Sequence, residues 1–188
     1  LKVANSSRYQ GGQTITTLRS ACVRLGNRRV LTIAQEVMAR DLFMAGSGTF
    51  GEIADAMWAN TRVSSEGARR LAEIQGVVDP DEAHLSALFH NLGELVLLRA
   101  FRELVGLKKP TVSELRMFRE EVDEHHEEVG CRLLGGWGFA ADFAKVASAH
   151  HVPAGKDESE KVRELRLLAL AAWKLALTVG FTYLPKQE

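Results

Sequence analysis

Apolar residues recur at helical spacing through nearly all of the chain, and the alternation that marks a half-buried strand is absent. That periodicity predicts an all-α protein. Ile15, Leu18, Cys22 and Leu25 form one stripe, which Gly26 ends. Val30, Ile33, Val37 and Met38 form the next, with Asn27 placed to cap it. Residues 44–51 are glycine-rich and read as a loop. Ile53, Met57, Asn60, Val63, Gly67, Leu71 and Ile74 share one face of a longer helix. Asp79-Pro80-Asp81-Glu82 is a helix start, because Pro80 suits the first turn and acidic side chains suit its positive end.

The pattern then predicts one helix from about Glu82 to about Phe101, with a tight face of Ala83, Ser86, Ala87, His90 and Gly93. Ser113 is expected to cap a short helix carrying Leu115 and Phe118. Val122, His126, Val129, Leu133 and Trp137 share the next face, and Phe139, Phe143, Val146 and His150 another. Pro153 and Gly155 break that one. Val162, Leu165, Leu168, Ala172, Leu175 and Val179 mark the last. About eight helices with short connections describe one compact bundle, and 188 residues at 46% hydrophobic content can fill its core.

Charge narrows the partners. The 24 basic and 24 acidic residues cancel, so no overall field draws the chain to nucleic acid or an anionic membrane. The basic strings at Arg24, Arg28 and Arg29, and at Lys108 and Lys109, are expected to be solvated helix faces. No apolar run is long enough for a membrane span, and the first residues do not form a signal peptide. Cys22 and Cys131 lack a CxxC spacing and are expected to be buried, reduced thiols of a cytoplasmic protein.

Two motif matches fail on context. Gly46-Ser47-Gly48-Thr49-Phe50-Gly51 fits GxGxxG, but a helix precedes it and no βαβ unit surrounds it. His125-His126-Glu127-Glu128 begins like a zinc-protease helix, yet the position four after His126 is Gly130, not a second histidine. The histidines carry more as a set. Of six in the chain, His90, His126 and His150 fall on apolar faces of separate helices, and His151 adjoins the last. Imidazoles converging in a helical core are what a transition-metal site needs.

The order of motifs resembles the HDOD domain. Val3-Ala4-Asn5-Ser6-Ser7 is similar to the family's "LANS" segment, and Ile15 to Gly26 to the stretch that follows it. Met57-Trp58-Ala59-Asn60-Thr61 resembles "LWxHS", and Ala87 to Gly93 resembles "GLLHDIG". His126 to Gly130 resembles "HAEVG", Leu134 to Phe139 "LLxxWxLP", and His150-His151 the closing "HH". The resemblance implies one HDOD domain over residues 1–188, without the family's N-terminal helices, and a compact HD-domain-like bundle related to HD-GYP and other HD phosphohydrolases.

In active HD enzymes a His-Asp pair, further histidines and a final Asp hold two metals that activate water and clamp phosphate. Carried onto this chain, the resemblance puts Asn60 at the first His, Asn91 at the Asp of the pair, and Trp173 at the final Asp. His90, His126, His150 and His151 remain. The set implies a vestigial pocket of Asn60, His90, Asn91, His126, His150, His151 and Trp173, with no catalytic residue and no cofactor. No metal is expected; were one held, His126, His150 and His151 would be its ligands. The implied function is a non-catalytic regulatory module of a bacterial signalling protein. It would act through a protein partner, a fused module, or a small-molecule or nucleotide ligand. The alternative is an HD-type phosphohydrolase acting on a nucleotide or cyclic dinucleotide.

Overall fold

The computed structural model describes residues 1–7, 9, 12–43, 48–106, 109–151 and 158–182. Among them are eight helices and no strand: α1 (Leu18–Leu25), α2 (Asn27–Phe43), α3 (Thr49–Gln75), α4 (Pro80–Phe89), α5 (Leu92–Val105), α6 (Val112–Gly136), α7 (Ala141–Ala147) and α8 (Glu160–Thr178). The protein is all-α, as the periodicity predicts. Lys108, Pro153, Gly155, Gly46 and Ser47 lie outside the described residues. None of the described helices is long and apolar enough to cross a membrane.

Two compact units divide the chain, Leu1–Met38 and Ala39–Glu188. In the first, the Asn5 side chain locks a loop to the start of the helical region. Its Nδ2 donates to the Ile15 carbonyl at 2.8 Å, and its Oδ1 accepts from the Ile15 N–H at 2.8 Å. Thr17 caps α1 by accepting from the Ser20 N–H, and Gly26 ends it at φ 77°, where a side chain would be strained. Arg24, from the basic string, donates to the Gln13 carbonyl at 2.8 Å.

The expected apolar stripes of this unit are not its buried faces. Leu18, Val37 and Met38 are exposed, and Ala21 and Thr32 are buried instead. Thr32 meets the need of a buried hydroxyl by donating to the Arg28 carbonyl. Neither Cys22 nor Cys131 is fully buried, although both are unpaired thiols.

The second unit holds most of the core. Helix α3 packs against α4 and α8, α5 against α6, and α6 against α7. One cluster gathers Phe43, Phe50, Met57, Leu88, Leu92, Leu95, Phe118 and Leu134. The other is built of small residues, Ala68, Ala72, Ala83, Ala87, Ala169 and Ala172, with Val162 and Leu165. Small side chains let α3, α4 and α8 approach closely. The glycine-rich loop is shorter than expected: Thr49, Phe50 and Gly51 are already the first turn of α3, and Phe50 is buried.

Two helix boundaries differ from the periodic pattern. The expected helix from Glu82 to Phe101 is broken between α4 and α5. Asp79 caps α4 and Pro80 opens it, as anticipated. His90 then closes α4, and Asn91 sits at φ −101°, ψ 18°, in the sparsely allowed bridge between α and β. The break aims the start of α5 at α6. Conversely, the two helices expected after Ser113 are one, α6, whose cap is Thr111 rather than Ser113. Thr111 accepts from the Glu114 N–H while Glu114 accepts from the Thr111 N–H, a reciprocal capping box.

Gly93 is the tightest point of the fold. A Cβ there would lie 1.9 Å from the His126 carbonyl oxygen and 2.8 Å from the Gly130 nitrogen. Only a residue without a side chain lets the α5 backbone meet the α6 backbone at the turn that carries His126.

Candidate functional site

Four imidazoles converge where α4, α6 and the end of α7 meet. His90 closes α4, His126 lies mid-way along α6, and His150 and His151 follow α7. Ring centroids stand 5.0 Å apart for His90–His150, 5.1 Å for His126–His150, 5.1 Å for His126–His151 and 4.2 Å for His150–His151. Trp173 of α8 closes the group, its ring 5.3 Å from that of His151. His90, His126 and His150 are buried, whereas His151 keeps an exposed edge.

The hydrogen bonds fix the tautomers. Nδ1 of His90 donates to the Ala87 carbonyl at 2.8 Å, Nδ1 of His126 to Val122 at 2.5 Å, and Nδ1 of His150 to Ala147 at 3.1 Å. A carbonyl oxygen can only accept, so each Nδ1 carries the proton. Each Nε2 therefore presents a lone pair to the interior. Nε2 of His90 is buried without a partner, and those of His126 and His150 face one another at 3.3 Å.

Burial keeps His90 and His150 neutral. Desolvation is the main cause that lowers the His90 pKa from 6.5 to about 4, with repulsion from His151 and His126 adding to it against the Ala87 hydrogen bond. Desolvation likewise drives His150 far below the ordinary imidazole range, helped by His90, His151 and His126. His151 is also lowered, first by desolvation and then by His126, with Glu127 and Asp123 opposing.

Asn60 and Asn91 are both buried, on different elements. Asn60 is buried on α3, where its Nδ2 donates to the Phe181 carbonyl at 2.8 Å and its Oδ1 accepts from the Ser64 hydroxyl at 3.2 Å. Its amide ties the chain after α8 to α3. Asn91 is buried next to His90 at the N-cap of α5, without capping that helix through its side chain.

One further group belongs to the site. Glu127 follows His126 on α6, accepts from the His151 N–H at 2.9 Å and lies 3.6 Å from His150 Nδ1. Local spacing does not mark it, because the zinc-protease pattern fails at the fourth position after His126, which is Gly130. His84, a fourth buried histidine, was equally missed: it sits on α4 inside the bundle, off the stripe that carries His90.

The two-metal set of an active HD enzyme does not fit these residues. Asn91 offers a neutral carbonyl oxygen where the bridge needs a carboxylate, and the Asn60 amide is already bonded at both ends. The histidine lone pairs do suit a single transition-metal ion.

Imidazoles brought together by separate segments of an all-helical bundle define the class, a histidine-centred HD-type scaffold. The HDOD domain model matches residues 1–153, and the chain belongs to the HDOD family. Trp173 lies beyond the matched residues. No curated protein sequence matches the chain. Two crystal structures are similar in fold. One, from Shewanella amazonensis SB2B, is described provisionally as a metal-dependent phosphohydrolase. It superposes with a TM-score of 0.68 at 23% identity, covering 95% of this chain and 68% of that one. The other is an HDOD domain protein of unknown function from Geobacter sulfurreducens, with a TM-score of 0.68 at 22% identity, covering 99% of this chain and 63% of that one. This chain thus spans about two thirds of each, and at these identities the likeness concerns the fold.

Proposed function

We propose that this HDOD domain is a non-catalytic regulatory module of a bacterial, cytoplasmic signalling protein, in which the HD pocket has been kept as packing and as a binding site. The observation that carries this reading is the state of the two asparagines. Asn60 is bonded through both ends of its amide to Phe181 and Ser64, so it belongs to the packing of α3. Asn91 brings no negative charge to a buried site. A bridging carboxylate does two jobs in two-metal hydrolysis: it neutralises divalent charge in a low dielectric, and it helps to orient the attacking water. Neither asparagine does either.

The module then works through a protein partner or a fused domain, and its pocket takes a small molecule or nucleotide. The test is a phosphodiesterase assay on mononucleotide and cyclic-dinucleotide substrates with Mn²⁺, Fe²⁺ or Zn²⁺ added, beside metal analysis of the same sample. No turnover above the metal-only control supports the reading. Turnover that rises with two bound metals per chain overturns it in favour of an HD-type phosphohydrolase.

A further inference from the structure

The outer face of α3 carries a row of charged side chains. Arg62, Glu66, Arg70 and Glu73 follow one another at spacings of four, four and three residues, so all stand on one side of the helix. Within the chain they pair along that helix. Arg70 lies 3.2 Å from Glu66 and 3.3 Å from Glu73, and the Arg62 guanidinium lies over the Trp58 ring at 5.8 Å. The row faces solvent, with the Arg70 side chain 60% exposed. Exposed pairs of this kind contribute little and exchange partners readily.

A hollow opens in the middle of the row. Gly67 lets α3 and α8 approach so closely that a Cβ there would lie 3.3 Å from the Ala172 Cβ. The outer side keeps a depression of about 420 Å³, lined by Arg62, Val63, Glu66, Gly67 and Arg70. Apolar side chains stay in water nearby. Ile74, about two turns beyond Gly67 on α3, is 81% exposed, and Leu175, about one turn beyond Ala172 on α8, is 56% exposed.

The order of the charges selects what fits. The signs alternate from Arg62 to Glu73. A uniformly acidic partner would be repelled by Glu66 and Glu73, and a uniformly basic one by Arg62 and Arg70. A second α3 lying parallel and in register would set each charge against its like. Turned antiparallel about a two-fold axis beside Gly67, the same helix sets every charge against its opposite. Arg62 of one copy then faces Glu73 of the other, Glu66 faces Arg70, and symmetry makes each pair twice. We infer that the outer face of α3 is a homodimer interface. Each Arg70 lays its aliphatic stem in the hollow of the second copy and reaches that copy's Glu66. The zero formal net charge of the chain leaves no long-range repulsion to oppose the encounter.

Sedimentation velocity of the chain, from dilute to concentrated samples, reads the association. A monomer–dimer equilibrium that added salt weakens is expected. Arg70→Glu and Glu66→Arg should each weaken dimerisation at least about 10-fold, because each sets like charges together on both sides of the axis. Mixed in equal amounts, the two variants should dimerise again, since every charge then faces its opposite. Glu66→Arg also removes one carboxylate from the buried Arg69, which keeps Asp81. Arg62→Glu mixed with Glu73→Arg therefore repeats the exchange away from Arg69, and circular dichroism checks that each variant is folded. A parent chain that stays monomeric at every concentration leaves this face to another occupant and overturns the inference. A dimer that the single variants leave unchanged overturns it too, as does a mixture of folded variants that stays monomeric. The association is read by mass rather than by turnover, so its failure leaves the regulatory reading standing.

Discussion

Gly93→Ala puts the packing account to a quantitative test. Glycine to alanine inside a helix ordinarily stabilises, by about 1 kcal/mol. At Gly93 the new methyl would sit 1.9 Å from the His126 carbonyl oxygen, against the 3.0 Å below which real Cβ contacts essentially do not occur. The blocking atoms are backbone, so no rotamer change relieves the clash. Helices α5 and α6 must part by about 1 Å at the turn that carries His126. Overpacking of this kind costs about 1–3 kcal/mol where side chains can yield, and more where they cannot. A net loss of roughly 3 kcal/mol lowers Tm by about 6–12 °C for a domain of this size. Thermal and urea unfolding followed by circular dichroism measure it. Gly135→Ala is the control: it lies in α6 with nothing within 4 Å of the added Cβ and should unfold within about 1 kcal/mol of the parent. A Gly93→Ala protein as stable as the parent would refute the close approach of α5 to α6.

Three further outcomes are expected. Because burial lowers the His90 pKa from 6.5 to about 4, protons bind the unfolded chain more readily. Stability is then full above about pH 6.5 and falls as pH drops toward 4, by on the order of 3 kcal/mol from His90 alone; urea midpoints of metal-free protein from pH 7.5 to 4 check this, and a flat profile contradicts it. Asn60→Ala removes the bond to Phe181 and orphans its carbonyl, costing about 1–3 kcal/mol, with faster amide exchange after α8 as the local readout. Asn91→Asp introduces a carboxylate at a buried position, so Tm should fall in chelator and recover with Zn²⁺; equal Tm in both conditions would separate Asn91 from the metal-binding region.

Much of the fold was legible in the sequence because a buried helix face leaves a 3.6-residue signature. The start of α4, the first half of α3 at Ile53, Met57 and Asn60, and α8 from Val162 to Ala172 follow it, whereas Ile74, Leu175 and Val179, expected on the same faces, are exposed. The break at His90–Asn91 was not legible. The apolar period runs on through it, and its cause is the approach of α5 to α6 at Gly93, a contact between segments distant in the chain. In the N-terminal unit Leu18, Val37 and Met38 repeat at helical spacing yet face outward, since periodicity marks a stripe without saying which side is covered. Thr111, not Ser113, caps α6, and Thr111 and Glu114 carry the capping-box spacing in the sequence.

The histidine cluster was readable from three inward positions and one neighbour. Trp173, which the resemblance puts at the final Asp, has its ring 5.3 Å from that of His151. Asn60, which the resemblance puts at the first His, joins α3 to the chain after α8 through its hydrogen bond to Phe181. Glu127 stayed hidden because its nearness to His150 and His151 depends on α6 running past the end of α7, which no local spacing encodes.

The central claim is that the HD scaffold persists here without its two-metal chemistry. The most direct measurement is metal content and cyclic-dinucleotide hydrolysis on one sample of the purified chain, loaded with excess Mn²⁺ or Zn²⁺ and desalted. The account predicts no more than one metal ion per chain and no hydrolysis above the metal-only control. Two metal ions per chain with turnover would contradict it.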